Sequence, residues 1–155
     1  QSSIIYISIY IVMNLGLFSC LFMLKRNDKY YENIDDLSGF SKNHPLISLS
    51  FLIILFSLAG IPPMAGFFAK FYLFKAIVKE SMYFLAITGL LSTVISAFYY
   101  LRIIKIIYFD QEKEKYDSDY SIGLKLTLSL STLLILLYFI YPSRLVEIVS
   151  RINII

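Results

Sequence analysis

Residues 57–71 read SLAGIPPMAGFFAKF, a run of small and apolar residues with two adjacent prolines, Pro62 and Pro63, at its centre. Each proline removes a backbone hydrogen-bond donor, and the residue before a proline disfavours the helical conformation. Gly60 and Gly66 flank the pair and loosen the backbone further. We therefore predict a helix that is interrupted near Gly60–Pro63, in the middle of a long hydrophobic stretch.

The chain as a whole is too apolar for a soluble domain. Hydrophobic residues make up 58% of its 155 residues, charged residues only 16%, and the mean hydropathy is +0.72. A soluble fold cannot cover that much apolar surface, whereas a lipid bilayer solvates it directly. Unpaired backbone groups facing lipid are costly, so an interrupted helix at membrane depth should be buried in protein or line a wet cavity. The predicted class is an all-α integral membrane protein.

Four hydrophobic stretches predict four transmembrane helices, the second of them discontinuous, in a single membrane domain that covers residues 1–155. The stretches are residues 4–24, 45–78, 81–107 and 122–141. The polar segments 25–44 and 108–121 are predicted loops on one side of the membrane.

The basic residues predict the orientation of the chain. Lys25, Arg26, Lys29, Lys42, Arg102, Lys105, Lys113, Lys115 and Lys125 belong to the side of the two loops. Lys75, Lys79, Arg144 and Arg151 belong to the other side. Loops that carry an excess of lysine and arginine stay in the cytoplasm or matrix. Both predicted loops therefore face the matrix or cytoplasm.

Lys70 is an ionisable residue inside the second hydrophobic stretch. At the 100° per residue of a helix, Lys75 and Lys79 share a face, and Lys70 points roughly 140–180° away from them. Its predicted neighbours on its own face are apolar: Phe67, Phe74 and Ile77. An ionisable group in such a place is a functional candidate. The alternative, a lysine that extends to the membrane surface, stays open at this point.

Catalytic, metal-binding and nucleic-acid functions are not predicted for this chain. One histidine (His44) and one cysteine (Cys20) cannot build a metal site or a nucleophilic triad, and no phosphate-binding glycine motif is present. Small and hydroxylated residues form a stripe on the third stretch: Thr88, Gly89, Ser92, Thr93 and Ser96. This stripe predicts close helix packing, with the lining of a water path as the second interpretation. Lys125 is expected to reach the membrane surface.

The run at residues 57–71 closely resembles the proton-translocating, antiporter-like subunits of respiratory NADH dehydrogenase. Three further segments resemble the family in the expected order. They are Tyr10, Met13, Gly16 and Phe18, matching Y-x-x-M-x-x-G-x-F; residues 36–40 (DLSGF), matching D-L-x-G-L; and residues 99–102 (YYLR). Lys70 followed by Phe71 resembles the chain-N type, subunit 2.

The resemblance implies that the chain corresponds to the last four helices of a larger subunit. It implies that Lys70 is a buried lysine with a role in proton transfer, a role given to no other residue, with Gly60, Pro62, Pro63 and Gly66 shaping the break in the helix. The chain would then be a non-redox subunit of a proton-translocating NADH:ubiquinone reductase. No cofactor is expected in this chain; NADH, FMN, iron–sulfur clusters and quinone are expected in other subunits.

The same resemblance supplies the expected surroundings. The partners would be the N-terminal part of subunit 2, neighbouring membrane subunits of complex I and the lipid bilayer, with no nucleic acid. We expect either a fragment or the product of a split gene. Abundant Ile, Phe, Tyr, Lys and Asn without Trp is typical of an AT-rich genome, and it favours the mitochondrial inner membrane over a bacterial or plastid membrane.

Two other functions stay open. The chain could be a subunit piece of a multisubunit sodium/proton antiporter, which has the same fold. It could also be a structural membrane piece with no proton role.

Overall fold

The computed structural model describes residues 2–26, 29–30, 33–111 and 120–140. The helices in these ranges are α1 (Ser2–Met23), α2 (Phe40–Asn43), α3 (Pro45–Ala59), α4 (Ala65–Lys79), α5 (Tyr83–Phe109) and α6 (Ile122–Ile140). A 3-10 helix covers Ile34–Leu37, and two short antiparallel strands, β1 (Lys25–Arg26) and β2 (Lys29–Tyr30), form a small hairpin after α1. The predicted all-α class is confirmed.

Two of these helices, α1 and α5, are long and apolar enough to cross a membrane. The two halves of the second hydrophobic stretch, α3 and α4, have 15 residues each and are shorter than a single straight span requires. The predicted count of four passes therefore stays a prediction. Several charges used for the orientation, including Lys113, Arg144 and Arg151, lie outside the described residues.

Helix α3 begins and ends at residues suited to those positions. Pro45 occupies the first turn, where its missing N–H would have no partner in any case. Gly60 ends the helix in the left-handed conformation, with φ of 81°. The N–H of Gly60 donates to the Ser57 carbonyl, and the N–H of Ile61 donates to the Phe56 carbonyl. This pair of bonds is the Schellman arrangement, which glycine adopts without steric cost.

Helix α1 lies at the centre of the bundle. It packs along α6, α4 and α3, and α3 also packs against α5. Gly16 marks the closest approach, because an added Cβ would lie 2.7 Å from Ile54 Cδ1 on α3 and 2.9 Å from Ser131 Cβ on α6. The buried core is formed by apolar residues of α1, α3 and α6, among them Ile9, Met13, Ile54, Leu55 and Ile135.

The segment between α1 and α3 lies at the end of the bundle where α5 ends. The Gly39 N–H donates to the Ile106 carbonyl at 3.1 Å, and the 3-10 helix and α2 both contact α5. The 3-10 helix, α2 and the last turns of α5 are thus close together.

Candidate functional site

The second hydrophobic stretch is interrupted between Ala59, the last residue of α3, and Ala65, the first residue of α4. Gly60, Pro62 and Pro63 lie in this interruption, and Gly66 is the second residue of α4. In a continuous helix, a carbonyl accepts a bond from the N–H four residues later. Leu58 and Ala59 are followed at that distance by the two prolines, which have no N–H to offer.

Lys70 supplies the donors that the prolines lack. Its Nζ donates to the Leu58 carbonyl at 2.8 Å and to the Ala59 carbonyl at 3.4 Å. These carbonyls belong to the last turn of α3, the negative end of the helix dipole, where a cation is favourable. Lys70 also passes close to Gly60, since an added Cβ there would lie 3.1 Å from Lys70 Cδ. The lysine thus bridges the two halves of the interrupted helix.

The expectation of a buried lysine is not met. Lys70 is half-buried, and none of the lysines whose burial the structure describes is buried. The physical reason is that a cavity, and not packed side chains, lies beside Lys70. This cavity has a volume of about 200 Å³.

Hydroxyl groups line much of the Lys70 cavity. Three are tyrosines, Tyr6 and Tyr10 from α1 and Tyr100 from α5, and three are small side chains of α5, Ser92, Thr93 and Ser96. The small hydroxyls also donate to carbonyls of their own helix, for example Ser96 Oγ to the Ser92 carbonyl at 2.9 Å. A hydroxyl can donate and accept hydrogen bonds, so such a lining suits water.

The stripe of small residues on α5 divides between its two interpretations. Gly89 serves close packing, because an added Cβ would lie 2.8 Å from Phe74 Cε1 on α4. Ser92, Thr93 and Ser96 line the cavity, whereas Thr88 donates to carbonyls of its own helix and does not reach it.

Ser57 connects both half-helices to α1. Its Oγ accepts a hydrogen bond from the Gly66 N–H at 2.9 Å and donates to Met13 Sδ at 3.0 Å. A Cβ at Gly66 would overlap the Ser57 carbonyl, so glycine is needed at this crossing. No feature of the sequence pattern predicted a role for Ser57 or Tyr6. The available signal for Ser57 was a lone hydroxyl inside a fully apolar run.

Within the described ranges, no group of three or more His, Cys, Asp or Glu side chains comes together in a way that could hold a metal ion. Cys20 is buried in the core.

A family model described as NADH:quinone oxidoreductase/Mrp antiporter, TM, matches residues 1–96. The chain belongs to this family. It is 77% identical over 155 residues to the NADH-quinone oxidoreductase subunit N of Pelagibacter ubique (strain HTCC1062), with 100% of this chain and 33% of the relative covered. It is 46% identical over 143 residues to the subunit of the same name from Parvibaculum lavamentivorans, with 92% of this chain and 30% of that relative covered.

A solved structure supports the fold of this family member. Respiratory complex I from Thermus thermophilus with bound Aureothin contains a chain that superposes with a TM-score of 0.77 at 23% identity. The match covers 90% of this chain and 32% of that chain. This chain therefore spans about a third of the length of the relatives that it matches.

The resemblance to the chain-N type of antiporter-like subunit is confirmed, and the match covers the C-terminal part of these relatives. The expected mitochondrial location is not supported, because the relatives, from Pelagibacter to Bartonella, are bacterial. The residue usage that favoured an organelle is typical of any AT-rich genome, and AT-rich genomes are not confined to organelles.

Proposed function

We propose that this chain is the C-terminal part of an antiporter-like subunit N of a bacterial NADH:quinone oxidoreductase, and that Lys70 transfers protons at the interrupted helix. The observation that carries the proposal is the position of Lys70 Nζ. It lies between a cavity lined by hydroxyls and the Leu58 and Ala59 carbonyls, which have no N–H partner four residues later because prolines stand there. The family assignment and the subunit N relatives support it.

The chemistry available at this site is proton exchange. An amine in a low-dielectric region has a less favourable charged form, so it can release a proton to water and take one up again. The negative end of α3 partly offsets that cost while the proton is bound. Water in the cavity, together with the hydroxyls of Tyr10, Tyr100 and Ser96, would carry the proton to and from Nζ.

The redox reaction belongs to other subunits in this proposal. NADH, FMN, iron–sulfur clusters and quinone would bind there, and the remainder of subunit N and neighbouring membrane subunits would pack against this chain. The chain would cross the bacterial membrane four times, with residues 25–44 and 108–121 on the cytoplasmic side.

The test uses Lys70→Met in the assembled complex in closed vesicles, with NADH oxidation and proton uptake recorded together. Loss of a positioned proton-transfer group slows such a step about 100-fold or more. We therefore expect fewer protons moved per NADH oxidised in a fully assembled complex. Lys75→Met, which removes an exposed lysine of the same helix, should keep the wild-type ratio. Normal assembly and a normal ratio in Lys70→Met would instead indicate a structural piece with no proton role.

A sodium/proton antiporter subunit is the second candidate, because the family description names the Mrp antiporter as well as the oxidoreductase. Sodium-dependent proton movement in vesicles without NADH would favour it. Loss of this sodium-dependent proton movement in Lys70→Met would then assign Lys70 a role in sodium/proton exchange.

A further inference from the structure

A second and larger cavity lies at the end of the bundle where α3 and α6 begin. Its volume is about 450 Å³, within the range of small-molecule sites. Polar groups on its wall come from both helices and from the residues before them: Asn43, His44, Ser50, Tyr120, Lys125 and Ser129. It is separate from the Lys70 cavity and shares no lining residue with it.

The polar part of this cavity is organised around Lys125, the one charged side chain among the lining residues that the structure describes. Lys125 Nζ lies 5.8 Å from the centre of the Tyr120 ring, a cation–π contact. The Tyr120 hydroxyl lies 3.2 Å from His44 Nδ1, and the Tyr120 side chain is buried. The Tyr120 and His44 rings therefore form one wall of the cavity, beside the ammonium group of Lys125.

The rest of the cavity is apolar and leads away along exposed helix surface. Its apolar wall is formed by Met23, Pro45, Leu46, Ile47 and Leu128, and 79% of Leu46 is exposed. One helical turn beyond Ser129, on the same face of α6, Leu133 is exposed as well. A polar end followed by an apolar track matches a molecule with a charged head and a hydrocarbon tail.

We propose that this cavity binds the headgroup of an anionic phospholipid, with Lys125 as its cationic anchor and an acyl chain along Leu46 and Leu133. Basic pockets between transmembrane helices on the cytoplasmic side favour such headgroups. The cavity is at the end of the bundle that holds the residues after α1 and the end of α5, where the described basic residues Lys25, Lys42 and Lys105 also lie. The proposal holds whether the chain serves an oxidoreductase or an antiporter.

The experiment labels the assembled complex with photoactivatable phosphatidylglycerol and maps the labelled peptides. We expect label on residues 43–50 and 120–129, reduced about fivefold in Lys125→Gln, the effect of one basic residue near a membrane surface. Lys105→Gln is the matched control, since Lys105 is exposed near the end of α5 and does not line the cavity. Lys125→Arg should restore the label, which separates loss of charge from misfolding.

Three results would overturn the proposal. Equal labelling by photoactivatable phosphatidylcholine would remove the requirement for an anionic head. An equal decrease in Lys105→Gln would indicate general attraction to a basic surface. Loss of the label in excess inorganic phosphate would assign the site to a soluble anion and not to a lipid.

Discussion

At the scale of single residues, Gly66 is the glycine at which an added Cβ would meet the closest neighbouring atom. A Cβ there would overlap the carbonyl of Ser57, a backbone atom that cannot move aside without displacing α3. Gly66→Ala should therefore lower the stability of the subunit by about 1–3 kcal/mol or more. The measurement is the thermal denaturation midpoint of the purified complex.

Gly123 provides the matched control for that substitution. It lies in the first turn of α6, and an added Cβ would meet only Ser121 Oγ, at 3.7 Å. Gly123→Ala should leave the midpoint unchanged or raise it slightly, since alanine favours a helix over glycine. Equal midpoints in the two alanine variants would show that α3 and α4 do not cross as closely as the structure places them.

Lys70 shows what could and could not be predicted at this scale. Helical geometry separated it from Lys75 and Lys79, and the prolines indicated that two carbonyls would lack donors. Joining these observations requires knowing how α4 packs against α3, so that Lys70 Nζ reaches the Leu58 carbonyl. That packing depends on Gly60, Ser57 and the contacts of α1, which are tertiary relations and leave no periodic signal in the chain.

At the scale of helices, Ser57 keeps α3 and α4 in register. Its buried hydroxyl is the acceptor for the Gly66 N–H. Ser57→Ala would leave that buried donor without its partner, at a cost of about 1–3 kcal/mol. We expect a lower denaturation midpoint of the assembled complex.

Thr88→Ala is the control for the loss of a helix hydroxyl. Thr88 is exposed and donates only to the Phe84 and Leu85 carbonyls of its own helix. Its removal should change stability by no more than about 0.5 kcal/mol. If Thr88→Ala and Ser57→Ala lower the midpoint equally, Ser57 has no special part in joining the half-helices.

At the scale of the whole molecule, α5 presents much of its length to the surroundings of the bundle and is less buried than α1. Large apolar side chains such as Phe84, Val94 and Phe98 are exposed on it. Such a surface needs lipid or other protein around it. Hydropathy predicted the membrane setting directly, but it cannot say which faces meet lipid and which meet protein, because both are equally apolar.

The four-pass topology predicts the side on which each connection can be labelled. Single cysteines at Asp35 and Gln111, both exposed, should react with a membrane-impermeant maleimide from the cytoplasmic side. A cysteine at Glu80, exposed between α4 and α5, should react only from the other side. Because Cys20 is buried, its background labelling should be low. Reaction of all three positions from one side would rule out four passes.

The two hydrogen bonds at the helix break have a consequence for the number of hydrogens on Lys70. A charged ammonium carries three N–H groups, and the two carbonyls, Leu58 and Ala59, accept two of them. A neutral amine still carries two. Lys70 can therefore release one proton while its nitrogen still donates a hydrogen bond to each of the two carbonyls. The hydrogen bonds that join α3 and α4 therefore need not compete with the proton transfer proposed for Lys70, because the two bonds need only two of the three hydrogens on this nitrogen.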